Sequence, residues 1–160
     1  MKYLEVAGMK KSSCDDGPGI RSVLFLQGCS MNCPGCHNKE AQKRGNGSLF
    51  SIEEMVLYIE KTCHNKRITI SGGEPLEQWE SLEKLLVKLR ENKFDVCLYT
   101  GWNFSEIPKR VLELVDYIKT GNFILEKRNE NIHYVGSENQ KMYHLTETGV
   151  WETLDLRLSA

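Results

Sequence analysis

The chain lacks a surplus of either charge: 21 Lys and Arg stand against 22 Asp and Glu, a net charge of -1 with histidine neutral. That argues against a protein that holds nucleic acid mainly by releasing counterions, which needs a basic excess. Long apolar runs are missing too. Stretches such as residues 23–26 fall far below the roughly 18 residues of a membrane span, and residues 1–11 contain no signal-peptide core. The expectation is a cytoplasmic protein with neither a nucleic-acid nor a membrane partner. Internal repeats, low-complexity tracts and linkers are also absent, so the 160 residues are read as one domain, residues 1–160. A chain of this length buries about 70% of the surface its unfolded form exposes, so it needs no disulfide staples.

What is present alternates between two periods. Residues 3–9 and 23–27 are rich in aliphatic, aromatic and β-branched side chains and read as strands, with a turn at Asp15-Asp16-Gly17-Pro18-Gly19 between them. Ser51-Ile52-Glu53-Glu54 is a capping box, and Ile52, Met55, Val56 and Ile59 follow at helical spacing, which predicts a helix over 51–62. Residues 67–71 alternate Ile68 and Ile70 with Thr69 and Ser71 and run into Gly72-Gly73, a strand entering a glycine loop. Leu82, Leu85, Leu86 and Leu89 predict a second helix over 78–92. Residues 95–100 and 115–119 read as strands separated by a helix that Ser105 caps. This alternation requires crossovers and so a mainly parallel α/β sheet, flat or curved into part of a barrel. From about residue 121 the pattern degrades into a polar loop over 126–141 and a terminal hairpin around Thr148-Gly149.

Six cysteines in a reducing compartment are poor disulfide candidates, so their spacing carries the information. Three lie within eight residues, Cys29-x3-Cys33-x2-Cys36, directly after the strand ending at Gln27, where α/β sheets place their chemistry. A structural zinc site wants four ligands, and His37 is too close to Cys36 to be an unstrained fourth, which leaves Cys63 or Cys97 if the fold returns one of them. Cys33-Pro34-Gly35-Cys36 also fits a thioredoxin-like redox centre, with Cys29 then unexplained. A third option is a four-iron cluster on three thiolates, which leaves one iron open, the mark of a catalytic site. Gly72 and Gly73 allow close backbone approach to a ligand beside it, and Glu74 offers an acceptor for an ammonium group.

The C-x3-C-x2-C spacing resembles that of the radical S-adenosylmethionine enzymes, as do Asp16-Gly17-Pro18-Gly19-Ile20-Arg21 and Gly72-Gly73-Glu74-Pro75 in the same order. Within that superfamily the chain is similar, over nearly its whole length, to the glycyl-radical activases of anaerobic ribonucleoside-triphosphate reductases. The resemblance extends to Tyr99-Thr100-Gly101-Trp102, Gly121-x-Phe123 and Gly136-Ser137-x-Asn139-Gln140. It implies a 4Fe-4S cluster on Cys29, Cys33 and Cys36, and S-adenosyl-L-methionine held by Gly35, Cys36, His37, Gly72, Gly73 and Glu74. It also implies a partial, open β/α barrel, and cofactor cleavage to a 5'-deoxyadenosyl radical that makes a glycyl radical on the reductase. No side chain is singled out as catalytic, since the cofactor carries the hard chemistry. The partners implied are the catalytic subunit of anaerobic ribonucleotide reductase and an electron donor such as flavodoxin. Another small radical enzyme, such as one forming a deazapurine precursor, and a non-catalytic metal module are the competing readings. Cys14, Cys63 and Cys97 belong to no second cluster and read as ordinary thiols.

Overall fold

Ile68 and Ile70 are fully buried beneath the helices, while Thr69 and Ser71 between them face the opposite side of the sheet. That period of two runs through the sheet and decides where chemistry can sit. The structure, a computed structural model, describes residues 3–157. Its eight strands are β1 (Tyr3–Ser13), β2 (Arg21–Leu26), β3 (Ser48–Ser51), β4 (Arg67–Gly72), β5 (Asp95–Tyr99), β6 (Tyr117–Thr120), β7 (Lys141–Leu145) and β8 (Trp151–Thr153). They form one sheet in the order β3-β1-β2-β4-β5-β6-β7-β8.

The central four, β2, β4, β5 and β6, are parallel, as the alternation requires. The flanks differ from the sequence expectation. β1 runs antiparallel to β2 and β7 antiparallel to β6, because the turn over 14–20 and the loop over 121–140 return the chain without a crossover helix. β3 was not anticipated; its four residues pair with Tyr3–Val6 of β1 and are too short to carry a period.

Helix α1 (Ile52–Thr62) starts at Ser51, whose Oγ accepts from the Glu54 amide at 3.1 Å while Glu54 Oε2 accepts from the Ser51 amide at 2.8 Å. The capping box is as expected, and it satisfies two end donors reciprocally. Helix α2 (Trp79–Glu91) buries Leu82, Leu85, Leu86 and Leu89 completely. The helix expected after Ser105 is instead a 3-10 turn, Phe104–Glu106, capped by Asn103, followed by the single turn α3 (Lys109–Leu112). Pro108 divides the segment, since it lacks the N–H a continuous helix would need.

All three helices bury their apolar stripes on the same face as Leu24, Leu26, Ile70, Val96, Leu98 and Ile118. Crossovers of one hand explain this. The other face carries Thr69, Ser71, Cys97, Tyr99, Tyr117 and Lys119, and only its far part is covered, by Val135, Met142 and Leu156. At its amino end Arg21, 1% exposed, donates to Thr69 Oγ1, to the carbonyls of Pro18, Ile68 and Asp95, and to Asp95 Oδ1 at 2.6 Å. The Asp16-Gly17-Pro18-Gly19 turn closes over this arginine, with the Asp16 carbonyl accepting from Thr69 Oγ1 at 2.6 Å. The motif therefore lies at the end of the strands remote from the cysteines and secures the fold rather than the site.

Candidate active site

The cysteine loop leaves the carboxyl end of β2 through Gly28, whose φ of +105° suits glycine. Its root is fixed by backbone bonds: Gly28 N–H donates to Ala41 at 2.6 Å and Cys29 N–H to Gln42 at 2.9 Å. On the other side Gly73 N–H donates to Leu26 O and Glu74 N–H to Gly28 O, each at 2.8 Å, so the glycine loop after β4 is bonded directly to the cysteine loop. A Cβ on Gly72 would strike the Leu26 backbone, and one on Gly73 the Gly28 carbonyl. These two glycines are needed first for the loops to meet, a closer constraint than the approach of a ligand suggested by sequence.

One open pocket of about 150 Å³ lies above the junction, lined by Cys29, Cys33, Cys36, His37, Gly72, Gly73 and Glu74. Seven of the eight residues expected at the site line it, and Gly35 is the exception. Its φ is +74° and a Cβ there would point at Phe123 and Leu125, so it turns the loop without lining the pocket. The His37 ring packs against Phe123, with centroids 5.2 Å apart and planes at 45°.

Among the described residues no three His, Cys, Asp or Glu side chains are gathered tightly enough to hold one metal ion. A four-iron cluster makes no such demand, because each thiolate takes a separate iron. Three soft donors spread around one pocket therefore fit the cluster better than a single zinc. Burial raises the Cys29 thiol, against the Met31 amide and helped by Glu77 and Glu74. Coordination reverses that preference, since a metal-bound thiol is deprotonated.

Glu74 is 2% exposed and already bonded: Oε1 accepts from Thr100 Oγ1 at 2.7 Å and the Leu76 amide at 3.1 Å, and Oε2 from the Gly101 amide at 2.8 Å. Burial nevertheless pushes its carboxyl above the usual range. Oε1 carries two donors and Oε2 one, so Oε2 keeps a lone pair for one further donor. Lys119, the last residue of the strand expected over 115–119, stands over the Tyr99 ring at 4.2 Å, and burial lowers its ammonium to about 8. It was missed by sequence reasoning. A lysine between Ile118 and Thr120 on a parallel strand, sharing the face of Tyr117, was the available signal.

Gln140 explains the Gly136-Ser137-x-Asn139-Gln140 segment. Its Oε1 accepts from the Gly136 and Ser137 amides while Nε2 donates to Gly121 O at 2.9 Å, and Asn139 Nδ2 donates to Asn122 O at 2.8 Å. The segment thus clips the loop after β6 to the far wall of the pocket. Of the large aromatics, Tyr99 lines the pocket, whereas Trp79, Trp102 and Trp151 pack against the main core.

The family model described as a 4Fe-4S single cluster domain matches residues 15–143. The anaerobic ribonucleoside-triphosphate reductase-activating protein of Enterobacteria phage T4 is 34% identical over 149 residues, 87% of this chain and 94% of the relative. The chain belongs to this activating-protein family. The family member of Escherichia coli K12 is 30% identical over 141 residues, 81% of this chain and 92% of its own. A pyruvate formate-lyase-activating enzyme of Staphylococcus aureus USA300 is 42% identical over a shorter 92 residues, 54% of this chain and 37% of that enzyme. In this chain the loop–loop junction at Gly28, Gly73 and Glu74 gathers the cysteines and the glycine motif at one place.

Proposed function

We propose that the chain is a radical S-adenosyl-L-methionine activase that installs a glycyl radical on the catalytic subunit of anaerobic ribonucleotide reductase. The observation that carries this reading is the single pocket lined by Cys29, Cys33, Cys36 and by Gly72, Gly73 and Glu74 from the adjacent parallel strand. Cys29, Cys33 and Cys36 would hold a 4Fe-4S cluster. Gly72, Gly73 and Glu74 would receive the cofactor's amino group, and Cys36 and His37 its adenine side, with Gly35 shaping the loop. When bound, cluster and cofactor supply one-electron cleavage of the sulfonium and an adenosyl radical able to take a hydrogen atom from a glycine Cα.

The chain's own residues have three tasks. The backbone bonds from Gly28, Cys29, Gly73 and Glu74 orient the two loops. Glu74, fixed by Thr100 and Gly101, accepts an ammonium in a site that burial has dried. The walls at Phe123 and Gly136 exclude hydrogen donors from one side. The sheet, read as a partial open β/α barrel in one radical domain over 1–160, leaves the other side for the protein substrate to close. An electron donor such as flavodoxin, in the cytoplasm, completes the reading.

The test is anaerobic reconstitution with iron and sulfide, followed by EPR of the reduced protein with and without S-adenosylmethionine. A cluster signal that changes on adding the cofactor is expected. Cys33→Ala should lose cluster and cofactor cleavage while keeping its thermal midpoint. A variant that retains iron, sulfide and cleavage overturns the assignment.

A further inference from the structure

Glu77 follows the glycine motif in the short turn Pro75–Gln78 and does not line the pocket, yet its carboxylate reaches the back of the cysteine loop. Oε2 accepts from the amide of Ser30, the residue after Cys29, and Oε1 accepts from Arg44 Nη2, each at 2.9 Å. The turn is pinned from its other side. Gln78, 6% exposed, donates to the carbonyls of Glu5 and Gln27 and accepts from the Glu5 amide, each at 2.9 Å. The Arg44 stem lies across Gly28, where a Cβ would stand 2.9 Å from Arg44 Cγ. The cysteine loop, the turn after the glycine motif and the segment around Arg44 thus converge on one carboxylate.

The pair is asymmetric, since the Glu77 side chain is 17% exposed and that of Arg44 56%. A sheltered charge acts through protein, where screening is weak, while an exposed one is largely answered by water. Burial works against ionisation of Glu77, but the Ser30 amide and Arg44 outweigh it and hold the carboxyl below its usual range, so it is charged at neutral pH. The field it leaves at Cys29 is negative. Holding the loop does not require that charge. Backbone bonds from Gly28, Cys29, Gly73 and Glu74 already fix the loop root, and a neutral side-chain carbonyl would serve the Ser30 amide equally.

We propose that the Glu77 carboxylate, bonded behind Cys29 and partly offset by Arg44, sets the reduction potential of the cluster that Cys29, Cys33 and Cys36 hold. A fixed negative charge opposes the added electron and lowers the potential, and Arg44 returns a smaller part of that effect. Glu77 is therefore a positioning residue that works through the ligand loop and its field. The charges of Glu74 and Lys119 stand on the pocket side and are common to the wild type and to every variant below. The inference rests on the cluster reading and goes past it in naming two residues outside the pocket that tune the centre.

The experiment is an anaerobic redox titration of the reconstituted full chain with dithionite and mediators, followed by EPR of the reduced cluster. Iron content and thermal midpoint are measured in parallel. Glu77→Gln keeps an acceptor for the Ser30 amide and removes the charge, and its potential should move positive by about tenfold in the one-electron equilibrium, about 59 mV. Arg44→Gln should move the potential the other way, by a smaller amount. Lys43→Gln removes an exposed cation one residue away that is outside the pair, and should shift it less than Arg44→Gln does. A merely structural brace predicts no such opposition of sign. Unshifted potentials, or shifts of one sign in Glu77→Gln and Arg44→Gln, would overturn the proposal. If Glu77→Gln holds no cluster, Arg44→Gln against Lys43→Gln decides, and equal potentials in those two overturn it. A wild-type protein that takes up no iron and sulfide would instead overturn the cluster reading, so the two failures are read from different signals.

Discussion

The Thr100 hydroxyl donates to Glu74 Oε1 at 2.7 Å, tying the end of β5 to the glycine loop after β4. Because Glu74 takes two further donors from backbone amides, an amide side chain cannot replace it without turning an NH2 toward one of them. Glu74→Gln should cost about 1–3 kcal/mol of stability, measured by urea unfolding. The pH dependence has a definite sign. Burial holds the folded carboxyl above its ordinary value, so between those values the folded chain binds more protons than the unfolded one, and the contribution of Glu74 falls as pH rises. The deficit of the variant should therefore be largest in acid and shrink toward neutrality. A deficit that grows with pH would mean that the hydrogen bonds outweigh burial.

Gly73 tests the junction of the loops directly. Its φ is not positive, so only contact is at stake, and a Cβ would collide with the Gly28 carbonyl and stand 2.8 Å from Ala41 O. Gly73→Ala must separate the two loops, at a cost of about 1–3 kcal/mol, and should lower the iron content after reconstitution. Gly8→Ala is the control, with open space around the new methyl, and is expected to match or exceed wild-type stability. Equal melting temperatures for the two variants would refute the steric account.

Lys119 carries a pH signature of the opposite sense. Its ammonium falls from 10.5 to about 8, chiefly through burial, so between these values the unfolded chain binds more protons and stability rises with pH. Lys119→Met removes the buried charge. The variant should be more stable than wild type below about pH 8, and the difference should shrink toward pH 10.5. Paired denaturation curves across that range check it, and a difference independent of pH would sink the argument.

The parts of the fold legible in the sequence were those with a strong period or a local cap. Ser51 with Glu54, and the leucines of α2, needed no tertiary information. The four parallel strands followed from alternation, but nothing local distinguishes a strand that returns antiparallel, so the directions of β1 and β7 were out of reach. At the site, the cysteines and Gly72–Glu74 were legible because spacing in the chain already implies a shared loop or strand end. Lys119 was not, since what brings it in is the register of β5 and β6. Gly35 shares the motif without lining the pocket, because position in a motif does not say which way a turn points.

The six thiols should separate by burial and ligation. Cys63 and Cys97 are 2% and 0% exposed, and burial pushes the Cys97 thiol up to about 12, so at neutral pH it is neither accessible nor ionised. Cys14 is exposed, and the three loop cysteines are partly so. In cluster-free folded protein, N-ethylmaleimide should modify Cys14 together with Cys29, Cys33 and Cys36, and reach Cys63 and Cys97 only on unfolding. After reconstitution the loop cysteines should become protected while Cys14 stays reactive, as mass spectrometry of the peptides will record. Protection of Cys14 alongside the loop would make it a ligand, contrary to its position at the remote end of the strands. Labelling of Cys97 in the folded protein would mean that the polar face of the sheet opens in solution.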